Sequence, residues 1–416
     1  MEENTGNEAA LLAERIQRVE DAVALREPDK LPVAPLFSSV IQRLYGSSYR
    51  DIFYDFRKAG QAYLDFYRDY TMCDAHFFSG FTSGKANELA GSTMIDWPGR
   101  PGTKVSDYSS HQVIEHEYLL PEEYPEFLRD YTGFMMRKYI PRAYPNLKAF
   151  GQTAFVPTVV LNTSLLSPLY SPGMIEAYNT LSEIGKLEAE AMELFLEYAG
   201  KLTEMGMPSF VSGVSEVPFD ILGDYFRGTV GVMEDQLERE DEVIEACSMF
   251  ADQQIAALSY LKDAPMPVKR IFFPMHKGMD GFMSPAHYKK LYWKPLKKVI
   301  TALIDMGVTP FLYTEGKYDS RIEQLADVPR GKVIYHFETV DMKRAKEVLG
   351  NIACITGNLP VAMMEFGKKE KVADYCKELI DTCAPGGGYI FDFNGSLENA
   401  KPENIDTMFE ILEKYR

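Results

Sequence analysis

Short apolar runs alternate with longer amphipathic stretches along most of the chain. The runs "LPVAPLF" (31–37), "CDAHFFSG" (73–80), "PSFVSGV" (208–214), "RIFFPMH" (270–276), "TPFLYTE" (309–315), "KVIYHF" (332–337), "NIACITGN" (351–358) and "GYIFDF" (388–393) predict strands. Most are rich in β-branched and aromatic residues and close on turn residues. Between them lie helical patterns. In "SPAHYKKLYWKPLKKVITALIDMG" (284–307), Ser284 suits the N-cap, Pro285 the first turn and Gly307 the position just past the end. Residues 341–349, 369–383 and 402–415 also predict helices. Eight strands, most followed by helices, predict an α/β fold in which one (β/α)8 TIM barrel spans residues 1–416. An open doubly wound sheet is the competing architecture. Its glycine fingerprint is missing from "LFSSVIQRLYG", after the first strand.

The alternation breaks once, over a long insertion in the N-terminal half at about 81–206. "STMIDWPGRPGTKVSDYSSHQVIEHEYLL" reads as a hairpin-like excursion and "PEEYPEFLRDYTGFMMRKYIPR" as helices. Phe155–Leu161 competes for a place as an extra strand. Insertions at βα junctions lie on the catalytic face of a barrel, so this one is expected to act as a lid or extension of the site.

Composition narrows the class. No run of 18 apolar residues is present, so no membrane span is expected. The start "MEENTGNEAALLAERIQRVEDAV" lacks the basic and apolar pattern of a signal peptide, and the five cysteines form no CxxC. Both features predict a cytoplasmic protein. A net charge of -17 argues against nucleic acid and anionic membranes as partners. Monomer and homodimer both stay open.

Candidate chemistry sits at strand ends. Residues at the C-terminal ends of barrel strands converge on the active site. Three successive runs finish on or near His276, Glu315 and His336. Neighbouring strands lie about 5 Å apart, so end residues can share one ion. A set of two histidines and one glutamate is an open zinc site with room for water or substrate. Asp392, in the last run, is the reserve third ligand. Lys277 and Asp280 in "MHKGMDGFMS" stand where they could touch a substrate, and Asn358 in "TGNLP" is a candidate side-chain donor. Met275, Phe78 and Tyr313 are candidates for an apolar pocket. The glycines of "GGGYIFDFNG" precede their strand, which excludes a phosphate loop.

Residues from about 207 to 415 resemble the uroporphyrinogen decarboxylase superfamily. The likeness runs through "VSEVPFDILGDYFRG", "HKGMDGFMSPAHYKKLYWKP", "LYTEG", "AKEVLGNIACITGNLP" and "GGGYIFDFNGSLENAKPENI". That resemblance implies a (β/α)8 barrel and either porphyrinogen decarboxylation or cobalamin-dependent methyl transfer. The arginine-rich segment with which true decarboxylases grip a polycarboxylate is replaced here by "APLFSSVIQRLYG", with only Arg43 nearby. The HxC pair of the coenzyme M branch is replaced by Tyr313-Thr314-Glu315, and its late cysteine place lies near Gly395-Ser396.

What remains resembles the substrate-side O-demethylases of corrinoid systems, whose Glu-then-His spacing is similar to Glu315 and His336. The resemblance implies methyl transfer from a methoxylated aromatic to the cobalamin of a separate corrinoid protein. Zinc on Glu315, His336 and His276 would act as Lewis acid on the leaving oxygen. Tyr313 and Glu315 are the expected catalytic residues. The competing readings are a decarboxylase, a methyltransferase acting on a methylamine or betaine, a metal-dependent hydrolase, and a binding module without catalysis.

Overall fold

The computed structural model describes residues 2–78, 80–156 and 163–416. A two-stranded antiparallel ribbon, β1 (Ile95–Asp96) with β2 (Gln112–Val113), lies in the insertion, where the sequence predicts a hairpin. The central sheet has six parallel strands that neighbour one another in chain order. They are β3 (Gly213–Val214), β4 (Arg270–Met275), β5 (Thr309–Thr314), β6 (Ile334–Phe337), β7 (Cys354–Thr356) and β8 (Tyr389–Ile390).

Two short segments complete the ring. Val33 bridges Phe391 and His76 bridges Ser209, both in parallel. Between these two segments, the Asp74 amide donates to the Val33 carbonyl at 2.7 Å. The eight expected strands are thus present around one barrel, but the first two are reduced to bridges. The extra strand expected at Phe155–Leu161 does not start. Phe155 and Val156 are exposed coil, and residues 157–161 lie outside the described residues.

Strand periodicity of two divides the core. Phe311 and Tyr313 of β5, Ile334 of β6, Cys354 of β7 and Ile390 of β8 point into the ring with Phe77 and Phe210. Val19, Ala22 and Val23 of α1 (Glu2–Val23) close the bottom of this inner cluster. The alternate residues, among them Phe273, Met275, Leu312 and Tyr335, pack outward against helices.

Of those helices, the last four occupy the predicted places. The insertion contributes α2 (Pro172–Glu204). After β3 come α3 (Gly228–Glu238) and α4 (Glu240–Leu258). The chain continues through α5 (Lys294–Asp305), α6 (Met342–Leu349), α7 (Lys369–Cys383) and α8 (Pro402–Tyr415). Leu296, Val299, Ile300 and Leu303 form the buried stripe of α5. Burying each such side chain contributes roughly 1.5–3 kcal/mol. At the start of that helical stretch, Ser284 Oγ accepts from the His287 amide at 3.1 Å, the cap expected there.

Candidate active site

The strand β4 leaves the sheet at His276 and Lys277, and a carboxylate anchors this exit. Asp220 accepts from the backbone amides of His276 (2.9 Å) and Lys277 (3.0 Å) and from the Tyr292 hydroxyl (2.6 Å). Four residues on, Asp224 Oδ2 lies 2.7 Å from His276 Nδ1. Both aspartates belong to one helical segment after β3, Pro218–Asp220 running into a π-helix at Ile221–Arg227. A π-helix widens the turn and recurs at functional sites. Lys277 also reaches Asp224. A Cβ on Gly223 would stand 2.6 Å from Lys277 Cδ, so glycine leaves the passage for the lysine stem.

The other imidazole nitrogen of His276, Nε2, faces Glu315 Oε1 at 3.6 Å. Side chains of His276 and Glu315 are 34% and 46% exposed, so this pair lies open at the mouth. Burial opposes a charge on His276. The hydrogen bonds to Asp224 and Glu315 and the charge of Asp220 outweigh it, raising the imidazole to about 11. His276 is therefore an imidazolium at neutral pH, with one N–H fixed by Asp224 and the other turned to the mouth. Burial pushes Asp220 up to about 6, helped by the charge of Asp224. Asp224 would also rise on burial, but the His276 bond and the Lys277 charge hold it below the usual carboxylate range. Glu216, at the exit of β3, is raised to about 7 mainly by burial, and its Oε1 accepts from the Tyr225 hydroxyl at 3.2 Å.

Apolar surface lies inside the ring, beneath these groups. Val214 is the register partner of Phe272, and Phe272 that of Phe311, which places all three on the inner face. Val214 is exposed and Phe272 half-buried, so the inner face of the ring presents hydrophobic and aromatic surface below the level of His276.

His336 does not join this group. It is paired in register with Tyr313, two residues before Glu315, and is fully buried. Its ring stacks on Tyr313 at 3.8 Å and 9° between planes, and its Nε2 lies 2.8 Å from the Phe393 carbonyl. Burial lowers it to about 3, so it is a neutral imidazole donating to that carbonyl. Asp392, the reserve ligand, lies with His336 (Oδ2 to Nε2, 3.8 Å) and accepts from the Leu36 and Phe393 amides. Burial raises it to about 8.

Among the described residues, no three or more His, Cys, Asp or Glu side chains gather as metal ligands. The expected zinc set of Glu315, His336 and His276 thus divides into a pair at the mouth and a buried residue beneath. The side chains as they stand do not fit a three-donor centre.

The other expected site residues are placed as follows. Tyr313 is inside the ring, where burial pushes its phenol well above the ordinary value. Lys277 is at the mouth but turned to Asp224, with Glu115 at 3.8 Å. Met275 and Phe78 do not line a mouth pocket: both belong to the outer core, Met275 because it alternates with inward-facing His276, Phe78 against Tyr63 and Phe195. Asn358 has both ends of its amide engaged, by the Val340 carbonyl and the Tyr375 hydroxyl. Asp280 accepts from the Ser320 amide and hydroxyl and ties two loops together. Asp220, Asp224 and Glu216 are absent from the sequence-based candidates. Two aspartates four residues apart on one helical segment were the signal that could have found them.

Residues 147–415 match the sequence model of uroporphyrinogen decarboxylase (URO-D). The chain belongs to the URO-D family. Among 35 chains of solved structures similar to this member is a methyltransferase from Methanosarcina mazei. The two share 15% identity at a TM-score of 0.62, covering 96% of this chain and 98% of that one. That likeness concerns the fold, an α/β TIM-barrel-like one. No curated protein matches.

Proposed function

We propose that this URO-D family member transfers a methyl group from an O-methylated aromatic donor to the corrinoid of a separate partner protein. The observation that carries this reading is His276, its two ring nitrogens turned to Asp224 and Glu315 at an open mouth above the apolar interior of the ring. The missing porphyrin-gripping arginines and the methyltransferase of similar fold support it. The docked corrinoid supplies the nucleophilic electron pair. As the methyl carbon gains that pair, the methyl–oxygen bond breaks and its electrons stay on the aryl oxygen. His276 Nε2 gives its proton to this oxygen, which leaves as a phenol. A phenol has a pKa of about 10, judged by tyrosine, so the transfer from His276 is nearly balanced. Asp224 keeps Nδ1–H and fixes the plane of the ring. Glu315 stabilises the charge before transfer.

A cationic methylamine or betaine donor is the second reading, favoured by the carboxylates Glu115, Asp224 and Glu315 around the mouth. The two readings differ at His276, because an amine leaves without needing a proton. The test mixes the protein with reduced corrinoid protein and a panel of methoxybenzenes, methylamines and betaines. Release of a phenol with methylation of the acceptor is expected, and His276→Gln should slow it by about 100-fold or more. A His276→Gln variant that turns over methylamines at the parental rate, with ethers inert in both, would shift the assignment to nitrogen donors. Activity lost to a chelator and restored by zinc would return the acid role to a metal. Decarboxylation of uroporphyrinogen without methyl transfer would overturn the proposal.

A further inference from the structure

The helix α3 presents an apolar stripe to solvent. Val230, Met233 and Leu237 fall three and four residues apart on one face, and that face is in solvent, with Val230 70% and Leu237 74% exposed. The buried face carries Val232 together with the polar Asp235 and Gln236. Asp235 locks this orientation, accepting from Arg227 Nε at 2.5 Å and the Tyr124 hydroxyl at 2.7 Å. Rotating the apolar stripe inward would break this buried ion pair and leave both charges uncompensated.

This stripe starts beside the site. The Thr229 amide and hydroxyl donate to the Glu115 carboxylate, and Glu115 lies 3.8 Å from Lys277, the neighbour of His276. The apolar residues are interleaved or flanked by Glu115, Glu117, Glu234 and Glu238. A second copy of a chain with charge -17 would set acid against acid across this face. A partner with an apolar contact ringed by lysine or arginine complements it.

We propose that the Val230–Met233–Leu237 face of α3 docks the protein that carries the methyl acceptor, through an apolar contact with a basic rim. The identity of that partner rests on the methyl-transfer reading; the face and its chemistry rest on α3 itself. The test uses the corrinoid-carrying protein purified from the same cells by its bound corrinoid, and calorimetry with the parental protein and the Val230→Asp/Leu237→Asp double variant. Circular dichroism checks that the variant is folded. The dissociation constant should rise by about 10-fold or more in the variant, while methyl transfer to free cob(I)alamin stays unchanged. Equal affinity of parent and variant, or no binding by the parent, would overturn the proposal. So would a parental dimer that the variant converts to monomer, since the face would then belong to a second copy. Binding that is lost in the variant, with no methyl transfer by either protein, would support the docking face and sink the methyl-transfer reading.

Discussion

Two carboxylates grip one imidazole at the exit of β4, and their pull decides when it carries a proton. His276 has an ordinary value of 6.5 and is raised to about 11, against the opposing effect of burial. The stabilisation from its charged form is therefore fully present below pH 6.5 and is lost as pH rises through about 11. Activity that needs the imidazolium should persist across neutral pH and fall on an alkaline limb. Asp224→Asn removes the partner of Nδ1, so that limb should move down by about a unit or more. A pH–rate profile with an unmoved limb would separate the acid from His276. Asp392 carries a dependence of the same sign in a lower pH window. Burial, partly offset by the Leu36 and Phe393 amides, raises it from 3.8 to about 8. The folded state therefore holds a proton that the unfolded state gives up, and stability declines from about pH 4 to about pH 8. Asp392→Asn can keep the acceptor for both amides and removes that proton. Its melting temperature, measured from pH 5 to 8, should gain on the parent as pH rises.

Register separates what strand ends alone suggest. Glu315 and His336 both close apolar runs, which led to one shared ion. In β5 and β6, however, Tyr313 is the partner of His336, so His336 lies two residues below the level of Glu315. Nothing in "KVIYHF" marks where the hydrogen-bond ladder aligns, because register is set by tertiary pairing rather than by the alternation within one strand. His336→Ala should accordingly act as a core change. Loss of the stack on Tyr313 and of the bond to Phe393 should lower stability by about 2–4 kcal/mol, read from urea denaturation, and leave zinc affinity unchanged. Order and type of elements were far more legible. The run of β4 to β8, the cap at Ser284 and the buried stripe of α5 all follow from local periodicity and turn chemistry. Met275 was misplaced by one residue of alternation, which moves a side chain from the inner to the outer face. The i, i+4 spacing of Asp220 and Asp224 was legible, but not what the two clamp. Their partner His276 lies more than 50 residues on, and only packing of the π-helix against β4 brings them together.

At the scale of the molecule, charge selects partners. Two cations of this region are already engaged, Lys277 by Asp224 and Arg43 by the carbonyls of Glu398 and Tyr108. A porphyrinogen with many carboxylates would thus meet unscreened acid, and uroporphyrinogen should neither react nor compete with the methyl donor. The same field should draw a basic partner. Long-range attraction raises the association rate and weakens as salt shortens the Debye length, from about 10 Å at 0.1 M to 3 Å at 1 M. An apolar contact of the kind on α3 acts mainly on dissociation instead, since it needs close approach. These two contributions can be told apart by stopped flow with the corrinoid-carrying protein. Between about 0.05 and 0.5 M salt, the association rate should fall by about 10-fold, with little change in dissociation. Glu234→Gln/Glu238→Gln should flatten that dependence, because it removes rim charge while sparing Val230, Met233 and Leu237. A salt dependence identical in the parent and this variant would place the steering charge elsewhere on the chain.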